Sequence, residues 1–353
     1  MPRTESFTRR AAALVSVTLL SSLAAAQPAK VDLRPKFITG HELRYRMSVH
    51  SVGSTSIPGL EDTPADVPAK KTLPKNPGAS KPPAPGAEPD QEMTQAVDVR
   101  FRVVDASAEG GATVEMIYDA IKLTTKGPLG DTAFDSAKPA AKDGDDPGAA
   151  YLRKIVGTTL TLRVDRDGNI TDIKGGDSLL PAGLGDAASS LVSGPGVQQT
   201  WGPIFTGRKG SGEASVGEKW TTTDTLNVSP IGAFTITTES VLSSARAGNA
   251  EVDFKGRIEP ARESSRPGEG IQIRSASHAG KYVWDVAAGS LRTLTMKQSM
   301  EAGGTLAGMA MSTTQKSETT VERLEGRSTN PAPAVRPADK PQKPLDFRPR
   351  RDG

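Results

Sequence analysis

Alternation of apolar and polar residues is the dominant pattern in this chain. In residues 43–50 every odd position is apolar and every even position is polar, and residues 97–103 repeat the pattern. Apolar residues also recur at every second position from 114 to 118, after a turn-forming sequence at residues 108–111. A period of two places alternate side chains on opposite faces of a strand, so the pattern predicts an antiparallel sheet with one wet face.

The second half of the chain resembles the first. Residues 103–115 have a counterpart in residues 241–253, and the turn sequence of residues 164–170 has one in residues 284–291. We expect a mainly β fold of about ten or eleven antiparallel strands, an open or partly closed barrel made of two similar five-strand units. The second unit begins at about residue 212, and a long extra strand around residues 312–324 follows it. The alternative is chance resemblance between hairpins rich in Ala and Gly.

One or two short helices are expected between the strands. Asp146 and Pro147 suit the cap and first turn of a helix, which would place Leu152 and Ile155 on its apolar face. A second amphipathic segment, residues 178–192, carries apolar side chains at helical spacing and is expected to end at Gly194 and Pro195. Its apolar side chains include Leu180, Leu184 and Leu191.

Two segments have too few apolar residues to form a core. Residues 54–92 are dominated by Pro, Ala, Gly, Lys and Asp, and residues 327–353 are basic and rich in Pro. Such compositions cannot offset the entropy lost on ordering, so both segments are expected to be disordered. The β domain would then comprise its first strand in residues 27–53 and the remainder in residues 93–326.

Residues 1–26 have the composition of a removable export signal. Arg3, Arg9 and Arg10 precede an apolar stretch too short to span a membrane, and small residues lead to a cleavage site between Ala26 and Gln27. The protein is therefore expected to be periplasmic or extracellular, with no transmembrane span after signal removal. The Sec and twin-arginine routes both stay open.

The composition excludes several kinds of functional site. The chain has no cysteine, which excludes disulfides, thiolate metal ligands and cysteine nucleophiles. The net charge of residues 1–26 is +2 and that of residues 327–353 is +4, which leaves −3 of the whole-chain +3 for residues 27–326. The expected folded body is mildly acidic, so the overall charge does not favour nucleic-acid binding.

No catalytic, cofactor-binding or metal-binding group is predicted. The three histidines, His41, His50 and His278, lack the spacing of metal ligands. In residues 165–169, side chains with oxygen atoms occupy alternate positions, as they do in a calcium-binding loop. The loop is short, however, and Asp-Gly-Asn is typical of a hairpin turn, which is the favoured interpretation.

Four arginines share one parity of the strand pattern: Arg44, Arg46, Arg100 and Arg102. They form either a basic strip for an anionic ligand or cross-strand ion pairs. Surface pairing is the favoured interpretation, with Arg102 near Glu115 or Arg100 near Asp119.

Several short motifs resemble an uncharacterised family of exported bacterial β-rich proteins. The motifs are Phe37-Ile38-Thr39-Gly40 followed by Leu43 and Tyr45, Phe134-Asp135-Ser136, Val164-Asp165 with Gly168-Asn169-Ile170, and Val216-Gly217-Glu218-Lys219-Trp220. The family implies no activity that can be carried over. The strand count is also similar to that of the open half-barrels of periplasmic lipoprotein carriers, an analogy of fold.

We therefore expect an exported, non-enzymatic protein of unknown ligand, acting as a binding or envelope-associated module. The alternative is a periplasmic carrier of a lipid or other apolar ligand. In that alternative Leu180, Leu184 and Leu191 would cover a cavity in the half-barrel. The partner would be an apolar ligand or a component of the cell envelope, and no nucleic acid is expected.

Overall fold

The computed structural model describes eleven parts of the chain. They are residues 30–56, 91–128, 130–144, 146–176, 179, 191–208, 210, 212–228, 232–260, 270–306 and 309–325. The predicted export signal with Ala26 and Gln27, most of the predicted insert, the tail, and Leu180 and Leu184 lie outside these residues.

The described residues form fourteen strands. In chain order these are β1 (Lys30–Asp32), β2 (Glu42–Ser56), β3 (Gln91–Ala106), β4 (Ala112–Lys126), β5 (Thr132–Asp135), β6 (Thr159–Val164), β7 (Ile170–Lys174), β8 (Glu213–Ser215), β9 (Lys219–Val228), β10 (Gly232–Arg246), β11 (Asn249–Pro260), β12 (Gly270–Asp285), β13 (Ser290–Leu306) and β14 (Met309–Arg323). The helices are α1 (Pro147–Ile155) and α2 (Gly194–Trp201), with short 3-10 turns at Ala140–Lys142 and Gly202–Ile204.

Eleven strands form one continuous antiparallel sheet, in the order β7-β6-β4-β3-β2-β14-β13-β12-β11-β10-β9. A twelfth strand, β5, pairs with β4 off this path, and β1 pairs with β8 in a separate two-stranded sheet. The end strands β7 and β9 do not pair with each other among the described residues, so the sheet is open. The predicted fold class is confirmed, and the sheet of twelve strands is slightly larger than the ten or eleven expected.

The two predicted five-strand units are present, and their hydrogen bonds match. In the first unit (β2, β3, β4, β6 and β7) the Gly40 N–H donates to the Val103 carbonyl at 2.8 Å. In the second (β9 to β13) the Gly217 N–H donates to the Leu242 carbonyl at 2.8 Å. The first hairpin of each unit is β3–β4 or β10–β11, and in both the pairing register shifts directly after the residue whose carbonyl accepts this bond. Chance resemblance does not reproduce irregularities at equivalent positions.

The second hairpin of each unit shows the same equivalence. The register shifts between Arg163 and Val164 in the first unit and between Val283 and Trp284 in the second. The structure also corrects the sequence alignment by one residue, because Val103 corresponds to Leu242 and not to the preceding valine. The turns differ in length by one residue. Five residues lie between the paired Ala106 and Ala112 in the first unit, and four lie between the equivalent pair, Ala245 and Ala250, in the second.

Strand β14 joins the two units. It pairs with β13, the last strand of the second unit, and with β2, the first strand of the first unit. This is the extra strand predicted around residues 312–324.

The structure shortens the predicted insert of residues 54–92 at both ends. Strand β2 continues to Ser56, and β3 already begins at Gln91. Beyond Gly53 the backbone of β2 no longer pairs with β3, but β14 on its other side holds it through pairs such as Ser54 with Thr314. Polar residues therefore extend the strand where composition alone predicted disorder.

Helix α1 is confirmed, whereas the predicted end of the second helix is wrong. The Asp146 carboxylate caps α1 by accepting from the Gly148 N–H at 2.8 Å. Gly194 and Pro195, expected to end a helix, instead begin α2, and the Ser193 hydroxyl accepts from the Gly196 N–H at 3.3 Å. Proline fits there because the first-turn N–H groups of a helix have no partner within the helix.

The core lies between the inner face of the sheet and the segment that contains α2. Trp201 of α2 is fully buried, and its ring meets Phe101 edge-on at 5.9 Å between centroids. The indole N–H of Trp201 donates to the Tyr118 hydroxyl at 3.3 Å, and that hydroxyl in turn donates to the Leu191 carbonyl. Leu191 is buried in this core, in a turn rather than in the predicted helix.

An aspartate organises the second hairpin turn of each unit. The Asp165 carboxylate accepts from the Asn169 N–H at 2.8 Å, which confirms a hairpin turn where a calcium loop was the alternative. The Asp285 carboxylate accepts from the Ala288 N–H at 2.9 Å and pairs with Arg323 of β14 at 2.6 Å. This ion pair connects the β12–β13 turn of the second unit to β14, the strand that joins the two units.

We expect Asp285→Asn to destabilise the protein by about 1 kcal/mol at neutral pH and to have little effect in acid. Burial alone would raise the pKa of Asp285, but the Ala288 N–H and the Arg323 guanidinium outweigh it and hold the pKa below its usual 3.8. Its stabilisation is therefore complete above about pH 4 and is lost as pH falls through the folded-state pKa. Urea unfolding at neutral pH and at pH about 3 measures the difference. An equal loss at both pH values would contradict it.

Candidate binding groove

The outer face of the first unit carries the four arginines identified from the sequence pattern. Arg46 pairs with Asp98 at 2.7 Å, and Arg100 pairs with Asp119 at 3.0 Å. Arg44 pairs with its own-strand neighbour Glu42 at 2.9 Å, and Arg102 lies opposite Glu115 in the register. Surface pairing, the favoured interpretation, is therefore correct, and this face offers an anion few unpaired charges.

The outer face of the second unit differs, together with the neighbouring strands β14 and β2. An open groove of about 760 Å³ crosses β2, β14, β13, β12, β11 and β10. Two parallel rows of side chains line it, one residue per strand in each row. In that strand order the first row is His50, Glu318, Lys297, Ala279, Lys255 and Glu239. The second row is Val52, Lys316, Ser299, Ser277, Arg257 and Thr237.

The groove lies on the face opposite the core. Residues that lie between the two rows, such as Ser51 and His278, are buried on the inner face, and alternate side chains point to opposite faces. The two rows therefore form the walls of the groove, and the backbone between them forms its floor.

Four cations surround the centre of the groove. Lys255 and Arg257 lie on β11, Lys297 lies on β13 and Lys316 lies on β14. Because neighbouring strands are about 4.8 Å apart, β11 is roughly 10 Å from β13 and roughly 14 Å from β14. Only small side chains separate the cations, and they are Ser277, Ala279 and Ser299.

The cations of the groove are weakly paired. Lys255 lies 3.7 Å from Glu239 and Arg257 lies 3.1 Å from Glu259, and more than half of each of these side chains is exposed. Exposed pairs of this kind are worth at most about 1 kcal/mol, so water and ions compete with them. Lys297 and Lys316 form no ion pair with any residue that the structure describes. The four cations outnumber Glu239 and Glu318, leaving the groove with a net charge of +2.

A buried histidine fixes three strands beneath the groove. The ring of His278 on β12 lies over Gly256 of β11, and its Nε2 is 2.9 Å from the Thr238 hydroxyl of β10. A Cβ atom at Gly256 would overlap that ring and the Thr237 carbonyl oxygen. Burial lowers the pKa of His278, which favours the neutral ring. His278 thus holds the β11 side of the groove in place from below.

The structure does not bring the sequence-predicted residues together. Leu191 is in the core and does not line the groove, and Leu180, Leu184, Ala26 and Gln27 lie outside the described residues. Of the three histidines, His50 and His278 both belong to the lining of the groove, His278 as a buried side chain, and His41 precedes β2 in an exposed turn. In the part of the chain that the structure describes, no three His, Asp or Glu side chains are grouped to hold a metal.

Comparison with known proteins identifies one segment. Residues 109–189 match a family of unknown function, DUF6263. The match begins in the turn before β4 and includes α1, β6 and β7, so an uncharacterised family is found, as the sequence motifs predicted. No curated protein matches the chain. Among the described helices, none combines the length and apolar character of a membrane span.

Proposed function

We propose that the protein is an exported, non-enzymatic binding module that holds an anionic ligand in the groove of its second unit. The observation that carries the proposal is the set of four weakly paired cations around small side chains on an open face. Lysine ammonium groups and serine hydroxyls are donors that carboxylate, sulfate and phosphate oxygens accept. The paired arginines of the first unit provide the contrast, because their positive charge is already matched.

The positions of the acidic groups support binding rather than catalysis. Glu239 and Glu318 are the carboxylates of the groove, and they lie four strands apart in the sheet order, which corresponds to roughly 19 Å. Carboxylate pairs that share one glycoside-hydrolysis reaction lie about 5–9.5 Å apart. These two therefore do not form such a pair.

Carriage of an apolar ligand stays a prediction and receives less support. The apolar side chains that would line its cavity instead pack with Trp201, Phe101 and Leu191 in the core. The groove that the structure does contain has polar and charged walls.

The test is a charge-removal variant with a matched control. Lys297→Ser/Lys316→Ser removes two groove cations, and Lys122→Ser/Lys174→Ser removes two exposed lysines of the first unit. We expect the groove variant to bind both a small anion, citrate, and a polymeric one, heparin, about tenfold more weakly, which corresponds to ~1.4 kcal/mol. Calorimetric titration at low salt measures the affinity, and added salt should weaken it.

The control variant should bind as the wild type does. Both variants lose two positive charges, so a difference between them reports the position of the charges and not the overall charge. Equal losses in the two variants would mean that binding follows overall charge and would contradict the proposal. Absence of binding to both probes would also contradict it.

A further inference from the structure

We propose that the occupant of the groove is an acidic polysaccharide chain that runs across the strands from β14 to β11. The inference rests on the proposed function, because it names the chemical class that the same groove binds. Its basis is the separation of the cations, the small hydroxyl-bearing side chains between them and the lack of free backbone groups.

The cations are spread across a span of four neighbouring strands. Lys297 and Lys316 are two and three strands away from the strand that carries Lys255 and Arg257, which corresponds to roughly 10 and 14 Å. An ion pair requires oxygen and nitrogen atoms within about 4 Å of each other. A single carboxylate or phosphate therefore does not contact all four cations at once, whereas a chain with repeated anionic groups can do so along this span.

The centre of the groove suits sugar rings. Ser277, Ala279 and Ser299 leave a low surface between the two sets of cations, and the two hydroxyls can donate to or accept from sugar hydroxyl groups. No Phe, Tyr or Trp is among the described residues that line the groove, and the imidazole of His50 lies at its β2 end. Single-stranded nucleic acids bind through aromatic rings on which successive bases stack, so the groove lacks what that ligand requires.

An acidic peptide is a poorer fit. Extended peptides gain affinity through backbone hydrogen bonds at the edge of a sheet. Strands β11, β12, β13 and β14 are each paired on both sides, so their backbone groups are already used. The groove offers only side-chain charges and hydroxyls, and a polyanionic sugar needs no more than these.

The acidic residues limit the length of the bound segment. Glu239 lies next to Lys255 at the β10 end of the first row, and Glu318 lies opposite Lys297. Repulsion from Glu239 disfavours further anionic groups beyond β11. The affinity is therefore expected to rise with chain length and then to level off once the chain spans β11 to β14.

The experiment compares galacturonate, its dimer and longer oligogalacturonates in calorimetric titrations of the full chain. We expect the affinity to rise at least tenfold from the monomer to the longer oligomers. Beyond the length that spans β11 to β14, further sugar units should leave the affinity of each oligomer unchanged. The neutral methyl ester of the longest oligomer should not bind. Ala279→Trp, which keeps every charge but fills the centre of the groove, should remove this length dependence.

The outcomes separate the two proposals. If monomer and long oligomer bind equally, or if polyglutamate or polyadenylate binds more tightly than the oligogalacturonate, the polysaccharide assignment is wrong and the anion-binding proposal stands. If Ala279→Trp leaves the length dependence intact, the chain does not lie in the groove, and the assignment is again wrong. If neither citrate nor any polyanion binds the wild type, both proposals fall together.

Discussion

Replacing Trp201 with alanine is expected to lower the free energy of unfolding by about 3–5 kcal/mol, the largest effect of any single side chain considered. The ring is fully buried and contacts Phe101 and Tyr118 edge-on, so its removal leaves a cavity between α2 and the sheet. The Tyr118 hydroxyl would also lose the indole N–H that donates to it. Urea unfolding followed by circular dichroism measures the loss.

Trp220→Ala is the matched control for the size of the side chain. Trp220 is partly exposed and packs at the margin of the core, where the Arg208 guanidinium lies 4.9 Å from its ring centroid. We expect its removal to cost about 1–2 kcal/mol, because less apolar surface leaves water and a cation–π contact of this kind is weak. A Trp220→Ala loss as large as that of Trp201→Ala would show that α2 is not the centre of the core.

Gly168→Ala is expected to cost at least about 3 kcal/mol and to loosen the contact between the first unit and the segment after α2. Gly168 has φ of +85°, and a Cβ atom there would overlap the Phe205 carbonyl oxygen. The backbone conformation alone costs an L-residue about 1–2 kcal/mol, and the overlap with fixed backbone adds to it. Thr206 also donates from its hydroxyl to the Gly168 carbonyl at 3.1 Å, a contact that any shift would break.

Gly217→Ala separates the two contributions. Gly217 has nearly the same φ, +87°, but nothing lies within 4 Å of the position that its Cβ would take. It should therefore show the conformational cost of about 1–2 kcal/mol alone. Thermal and urea unfolding of both variants provide the comparison, and equal losses would mean that the contact with Phe205 contributes nothing.

The sheet could be predicted from sequence because its signals are local. Period-two alternation marks each strand, and the glycine and aspartate turns mark the hairpins, so the two units and even the strand that follows them emerge from short windows. The helix at Gly194–Trp201 was missed for a local reason too. Gly194 and Pro195 suit the end of one helix and the first turn of the next, and only the Ser193 cap decides between them.

The groove could not be predicted in the same way. Its walls come from six strands, and the residues in one row lie as far apart in sequence as His50 and Glu318. Each lysine on its own is an ordinary exposed side chain of a wet sheet face. The four arginines of the first unit stood out because they share one parity of the alternating pattern on β2 and β3, yet these are the cations that carboxylates neutralise. Pairing between distant strands decides which charges stay available, and sequence spacing does not record it.

The position of β14 has a consequence for how the chain matures. This strand inserts between β13 and β2, and its pairs with β2, such as Ser312 with Ser56, join residues more than 250 positions apart. Contacts of such long range require the closure of a very large loop, which slows folding. The two halves cannot be joined until synthesis has passed residue 323. Until then the nascent polypeptide lacks the strand that joins its two units, so it stays incompletely folded during translation.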